Sequence, residues 1–191
     1  MTPEQSLQLL NLPTTLTSRW IEQLHERHRH YHTQRHIEHM LAHVPPGYES
    51  KELIAAIWLH DIVYDPHGDN NEALSAQQAQ QDLRHWHPVA RDTVVQLILG
   101  TKHHMPAGDL QNTMNDLDLL ILGETSERYA RYARDIRLEY AHAPSNSYAK
   151  NRSLVMESFL DRNSIYMTPS FAPHEEQARK NVANEIRDLM A

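Results

Sequence analysis

The residues of this sequence best equipped for chemistry are a histidine and an aspartate, side by side at the end of an apolar run. His60 and Asp61 follow Leu53–Leu59 directly, and Ile62 and Val63 come next. At about 100° per residue, the apolar positions of Leu53–Val63 cover every side of a helix, which predicts a helix buried at the centre of a bundle. Asp61 then faces the Ile54/Ile57 side, and His60 the Leu53/Ile57/Tyr64 side. Burying an unpaired carboxylate costs several kcal/mol, so Asp61 needs a compensating partner. A bound cation is the simplest one.

Further ligands stand one element earlier. His32, His36, His39 and His43 fall on a helical stripe about 60° wide, beside an apolar stripe of Ile37, Met40, Leu41 and Val44. His36 lies nearest the apolar edge and is predicted to point inward. The other three are expected at the rim or in solvent. The chain has fifteen histidines and no cysteine, so a metal here would meet imidazole and carboxylate rather than thiolate.

The elements that must position these residues read as helices throughout. Glycine is scarce, with five in 191 residues, and strand-like alternation is absent. Helices are predicted at about 17–29, 31–43, 50–63, from 69–72 to about 86, and 88–104. A short one follows near 116–122, then 126–142, 147–160 and 173–190. Pro45-Pro46-Gly47 and Asp65-Pro66-His67-Gly68 mark turns, and Asp69-Asn70-Asn71-Glu72 has the N-cap and N3 acid of a capping box. With no repeat or low-complexity linker, residues 1–191 read as one all-α domain whose C-terminal helices pack on the earlier ones.

The formal net charge of −7 argues against binding a nucleic-acid polymer, which needs a basic surplus. A small phosphorylated molecule needs only a local group of Arg and Lys. The N-terminal MTPEQSLQLLNLP lacks a basic region and a long apolar run, so no secretory signal is read there. No stretch approaches the ~18 apolar residues of a membrane span. A cytoplasmic protein is expected.

The ordered set His36, His60-Asp61 and Asp116-Leu117-Asp118 resembles the H…HD…D pattern of the HD superfamily. Closer still is the branch of small bacterial predicted metal-dependent HD phosphohydrolases. The likeness runs through Arg29-His30-Tyr31-His32, Ala56–Asp65, Asn71–Ala76, Thr101-Lys102-His103-His104, Ile136–Tyr140 and Glu176–Asn181, nearly the whole chain. It implies a helical HD-type bundle in which His36, His60, Asp61 and Asp118 hold one divalent ion. It also implies hydrolysis of a small phosphoester by metal-activated water. Between the two aspartates, Asp118 is preferred because in the family the ligand directly precedes the apolar run of its helix; its i+4 neighbour is Leu122. Two imidazoles and two carboxylates suit Mn²⁺, Fe²⁺, Co²⁺ or Ni²⁺ ahead of Mg²⁺ or Zn²⁺. Such an ion acidifies water and acts as a Lewis acid on phosphorus.

Glu72 is a candidate proton-transfer group, with the capping box as its structural alternative; Asp61 and His104 are the other catalytic candidates. Thr101 and His104 share a helical face with Val94 and Leu97, so His104 is expected inside, as a phosphoryl donor, a ligand to a second ion or a core histidine. Arg35, Lys102 and Arg137 are the candidate phosphate-binding residues, with Lys150 and Arg152 behind them. Two rival functions remain open. One is a di-iron oxygenase drawing on His85, His87, His103 and His104; the other is a non-catalytic nucleotide-binding HD module. The apolar C-terminal helix offers a face for a homodimer.

Overall fold

The computed structural model describes residues 1–191 and contains no β-strand. Ten α-helices run in order: α1 (Pro3–Leu10), α2 (Thr14–Gln23), α3 (Gln34–Ala42), α4 (Lys51–Leu59), α5 (Asn71–Asp82), α6 (Pro88–Gly100), α7 (Asp109–Asp118), α8 (Ser126–Glu139), α9 (Ser145–Leu160) and α10 (Glu175–Leu189). A 3₁₀ turn at Leu119–Gly123 joins α7 to α8, and another at Ala172–His174 leads into α10. No helix is long and apolar enough to cross a membrane.

α4 is the hub, as its all-round apolar sequence requires. Ser50 caps it by accepting from the Leu53 amide at 3.2 Å, and Leu53 through Leu59 are wholly buried. α1, α3, α5, α6 and α7 all pack on it. α10 closes the other side, lying on α9 and the 3₁₀ turn at 119–123, where Ala178 and Val182 are wholly buried. Ala178 and Val182 on its apolar face are therefore taken up within the chain.

Several elements differ from the sequence reading, among them α2 at 14–23 rather than 17–29 and α7 at 109–118 rather than 116–122, and four differences have a plain local reason. α1 was not expected, although Thr2-Pro3-Glu4-Gln5 forms a complete capping box with proline at the helix start. α3 begins at Gln34 rather than 31, because residues 30–32 turn their amides onto the Glu139 carboxylate. α4 stops at Leu59, and His60 and Asp61 form the turn beyond it. There the buried Arg29 guanidinium takes the Asp61 and Ile62 carbonyls at 2.6 and 2.9 Å. At α5 the N-cap is Asn70, with no side-chain cap bond, so the expected capping box does not form. Asn71 instead clasps the Asp65 backbone, donating to its carbonyl and accepting from its amide, both at 2.9 Å.

Candidate metal centre

Three elements converge on one point inside the bundle. α3 supplies His36, the turn after α4 supplies His60 and Asp61, and the last residue of α7 supplies Asp118. His36 and His60 are buried, at 3% and 1% exposure, and Asp118 is half-buried. His36 Nε2 lies 3.2 Å from His60 Nε2 and 3.0 Å from Asp118 Oδ1. His60 Nε2 lies 3.5 Å from the same carboxylate oxygen. Asp61 joins through His60, its Oδ2 3.0 Å from Nε2, and stands 3.9 Å from His32 Nε2. It is not one of the three residues whose ligand atoms all lie within 4.8 Å of one another: His36, His60 and Asp118.

The donor chemistry of this trio fits a cation. The second nitrogen of His60, Nδ1, donates to the Ile57 carbonyl at 3.0 Å, which leaves Nε2 as the atom facing the cluster. Nδ1 of His36 sits 3.1 Å from the Tyr31 hydroxyl, which can accept its proton and so free Nε2. Two imidazole nitrogens 3.2 Å apart cannot both carry protons, and a carboxylate brings only lone pairs. Ligands about 2.0–2.2 Å from one ion and at right angles lie about 3 Å apart, as these do. His36, His60 and Asp118 could therefore hold a metal ion.

The electrostatics point the same way. Burial opposes charge on His60, yet Asp61 and Asp118 hold its pKa well above the ordinary histidine range. Burial likewise works against Asp118, but His60, His104 and His36 keep it well below the usual carboxylate range. Asp61 is lowered against its own burial, chiefly by His60 and His32. Burial pushes His36 down, towards the neutral ligand form. The site thus stabilises positive charge and retains two ionised carboxylates.

The outer layer contains a group misplaced by the helical stripe. His32 belongs to the bend before α3, not to its rim, and its side chain is only 19% exposed. Its Nδ1 donates to Glu139 Oε2 at 2.7 Å, and its Nε2 looks towards Asp61. Glu139, fully buried at the end of α8, also accepts from the amides of His30, Tyr31 and His32 at 2.7–3.0 Å and from the Tyr64 hydroxyl at 2.8 Å. Despite burial, these bonds and His32 lower its pKa to about 2. His39 is not solvent-facing either: its Nε2 meets Glu124 Oε1 at 2.7 Å. Of the stripe, only His43 is exposed.

His104 reaches the centre by a route other than the expected helical face. α6 ends at Gly100, and His104 adopts a left-handed backbone with φ of 47°. Histidine tolerates this better than branched residues do. Arg162 pins the turn by donating to the His103 and His104 carbonyls, and His104 Nε2 meets Asp118 Oδ2 at 2.8 Å. Asp116 faces away from the centre, accepting from the Met167 and Thr168 amides and the Thr168 hydroxyl at 2.7–3.1 Å.

The proposed phosphate-binding residues divide. Arg35, with Arg128 and Arg131, lines a cavity of about 160 Å³ that also touches Tyr31 and His36. Lys102 donates to the Asp69 carbonyl and lies 3.6 Å from Glu72; neither shares a hydrogen bond or ion pair with the cluster. Arg137 is committed to the α8–α9 connection, donating to the Tyr140 and Ala143 carbonyls and lying over Tyr148. Arg152 is bound to Glu185, and Lys150 is exposed. Sequence reading passed over Arg128 and Arg131, whose only signal was their place on the helix opposite α3.

Comparison with protein-family models, with curated proteins and with solved structures finds no match for this chain. What the site does has to be read from its own residues.

Proposed function

We propose that this chain is an HD-type, divalent-metal-dependent phosphohydrolase acting on a small phosphorylated molecule. One observation carries the reading. His36, His60 and Asp118 aim lone-pair atoms at one another within 3.0–3.5 Å in the order of the HD motif. The ion belongs to the Mn²⁺, Fe²⁺, Co²⁺ or Ni²⁺ class; when bound it supplies a Lewis acid and a more acidic water.

The chain's own residues supply the rest. Hydrolysis joins a water oxygen to phosphorus, breaks the ester P–O bond and delivers one proton to the leaving oxygen. His32 is the best-placed proton carrier, since Glu139 fixes its Nδ1 proton and leaves Nε2 facing Asp61. His104 donates from Nε2 to Asp118 Oδ2 and so holds that carboxylate in place. Arg35, Arg128 and Arg131 support the choice of an anionic substrate, because their cavity shares His36 with the cluster. Glu72 fits less well as an acid–base group, because its ion-pair partner is Lys102.

A di-iron oxygenase is less well supported by the same geometry. Of the four histidines it would draw on, His85, His87 and His103 are exposed, and only His104 reaches the cluster.

The test is a screen of phosphomonoesters, nucleotides and cyclic nucleotides with Mn²⁺, Co²⁺, Ni²⁺ and Mg²⁺ in parallel. Phosphate release that needs the ion and disappears in Asp118→Asn supports hydrolysis. Nucleotide binding with no turnover under any ion would make the chain a non-catalytic module.

A further inference from the structure

A second group of histidines and a carboxylate lies on the same helix as His36 but outside the centre described above. His39 sits in the last turn of α3 and His43 is its C-cap. Their rings stand 4.7 Å apart, the spacing that i,i+4 side chains adopt on one helical face. Glu124, the residue after the 119–123 turn, brings its Oε1 to 2.7 Å from His39 Nε2. One ligand atom from each of the three residues lies within 4.8 Å of the others.

We propose that His39, His43 and Glu124 form a second divalent-cation site, of the zinc type, that ties the end of α3 to the start of α8. Two imidazoles and one carboxylate, with a position left for water, make a donor set well suited to Zn²⁺. The atoms are prepared for the task. His43 Nδ1 donates to the His39 carbonyl at 2.8 Å, which leaves Nε2 free. His39 Nε2 already faces Glu124 Oε1 at 2.7 Å, so a cation entering between them would meet both atoms once the ring proton moves to Nδ1.

The carboxylate is equally well held. Asn181 donates to the Leu122 and Glu124 carbonyls at 2.8 and 2.7 Å. At Gly123 a side chain would meet His174 and the Tyr166 hydroxyl within 2.6–2.7 Å, so the turn is closely packed. Only 13% of the Glu124 side chain is exposed.

The groups facing this site are few. Arg128, one turn into α8, stands 3.5 Å from Glu124 Oε1 and competes with a cation for that oxygen. No acid occupies the position after His39, which is Met40, so the helix lacks the general base that zinc peptidases place between paired histidines. The site's position gives it a bracing role: His36 and His39 share α3, while Asp118 and Glu124 bracket the 119–123 turn.

The inference does not depend on the proposed reaction and is tested without substrate. Zn²⁺ binding to the untagged full chain is measured by calorimetry and by metal content after dialysis. His43 is exposed and bonded only to its own helix, so His43→Ala should fold normally. It should lose one bound ion per chain, its affinity there falling more than about 100-fold, beyond the usual cost of an outer-sphere partner. Glu124→Gln should lose the same ion, Arg128→Ala should bind it more tightly, and the exposed His85→Ala should change nothing. Should the centre at His36 bind no ion, wild type would hold one and His43→Ala none, which still supports the site. Equal ion counts and affinities in His43→Ala and wild type would overturn it.

Discussion

Two buried polar networks lie back to back in this bundle; one is closed by an arginine, and the other leaves its carboxylates to histidines alone. Among α8, α9 and α10, Arg152 donates to both oxygens of Glu185 at 2.9 and 3.2 Å and to the Tyr132 hydroxyl at 3.0 Å, while Tyr129 donates to the same carboxylate. One cation meets one anion, and the tyrosines complete the shell. Across the Tyr31–Tyr132 ring contact, the second network sets Asp61 and Asp118 among His32, His36, His60 and His104. There an imidazole nitrogen faces another at 3.2 Å, with no Arg or Lys among the groups that contact the two carboxylates. A network that satisfies itself is structure. One whose imidazoles and carboxylates converge on a point could hold a metal ion.

The largest expected effect breaks the open network at its centre. Asp118→Asn should lose the ion bound there and bring phosphoester turnover to background, with the helical signal unchanged. Next, His32→Gln should keep the ion and fold but reduce turnover about 10²–10⁴-fold, the range of a general acid–base group. Intact turnover in that variant would remove His32 from proton transfer.

The closed network should respond only in stability. Glu185→Ala leaves the buried Arg152 without its partner and should cost about 3–5 kcal/mol in denaturant unfolding. Ion binding at the His36 centre should survive; its loss would mean that the networks are not separate. Glu139 should show itself in the pH dependence of unfolding. Its folded pKa of about 2 lies below the ordinary 4.5, so the unfolded chain binds more protons between those values. Its stabilisation is complete above pH 4.5 and is lost as pH falls towards 2, and Glu139→Gln should flatten the profile in that window. The smallest effect is expected for Glu72→Gln, less than about tenfold in rate, below the general acid–base range, since Glu72 faces Lys102. A hundredfold loss would return it to the proton-transfer role.

Much of this was legible in the sequence where it depended on local pattern. The apolar residues on every side of Leu53–Leu59 required a central helix. Spacing did not separate the two aspartates: Asp116 is the wholly buried one but is bonded to Met167 and Thr168, whereas the half-buried Asp118 meets His36 and His104. The stripe 32–36–39–43 gave His36 correctly but misplaced His32 and His39. His32 leaves the helix because Glu139, more than a hundred residues away in sequence, captures three consecutive amides. His39 is covered by Glu124. Neither partner announces itself by spacing. His104 was expected inside on a helical face and arrives through a left-handed turn pinned by Arg162, a contact no periodicity reveals.

The central claim is that His36, His60 and Asp118 bind a divalent ion. Mn²⁺ binding to the His43→Ala chain, followed by electron paramagnetic resonance, tests it most directly with the second site disabled. One tightly bound Mn²⁺ per chain, lost when Asp118→Asn is added while the fold persists, is the predicted result. No tightly bound Mn²⁺, or binding that Asp118→Asn leaves unchanged, would contradict it.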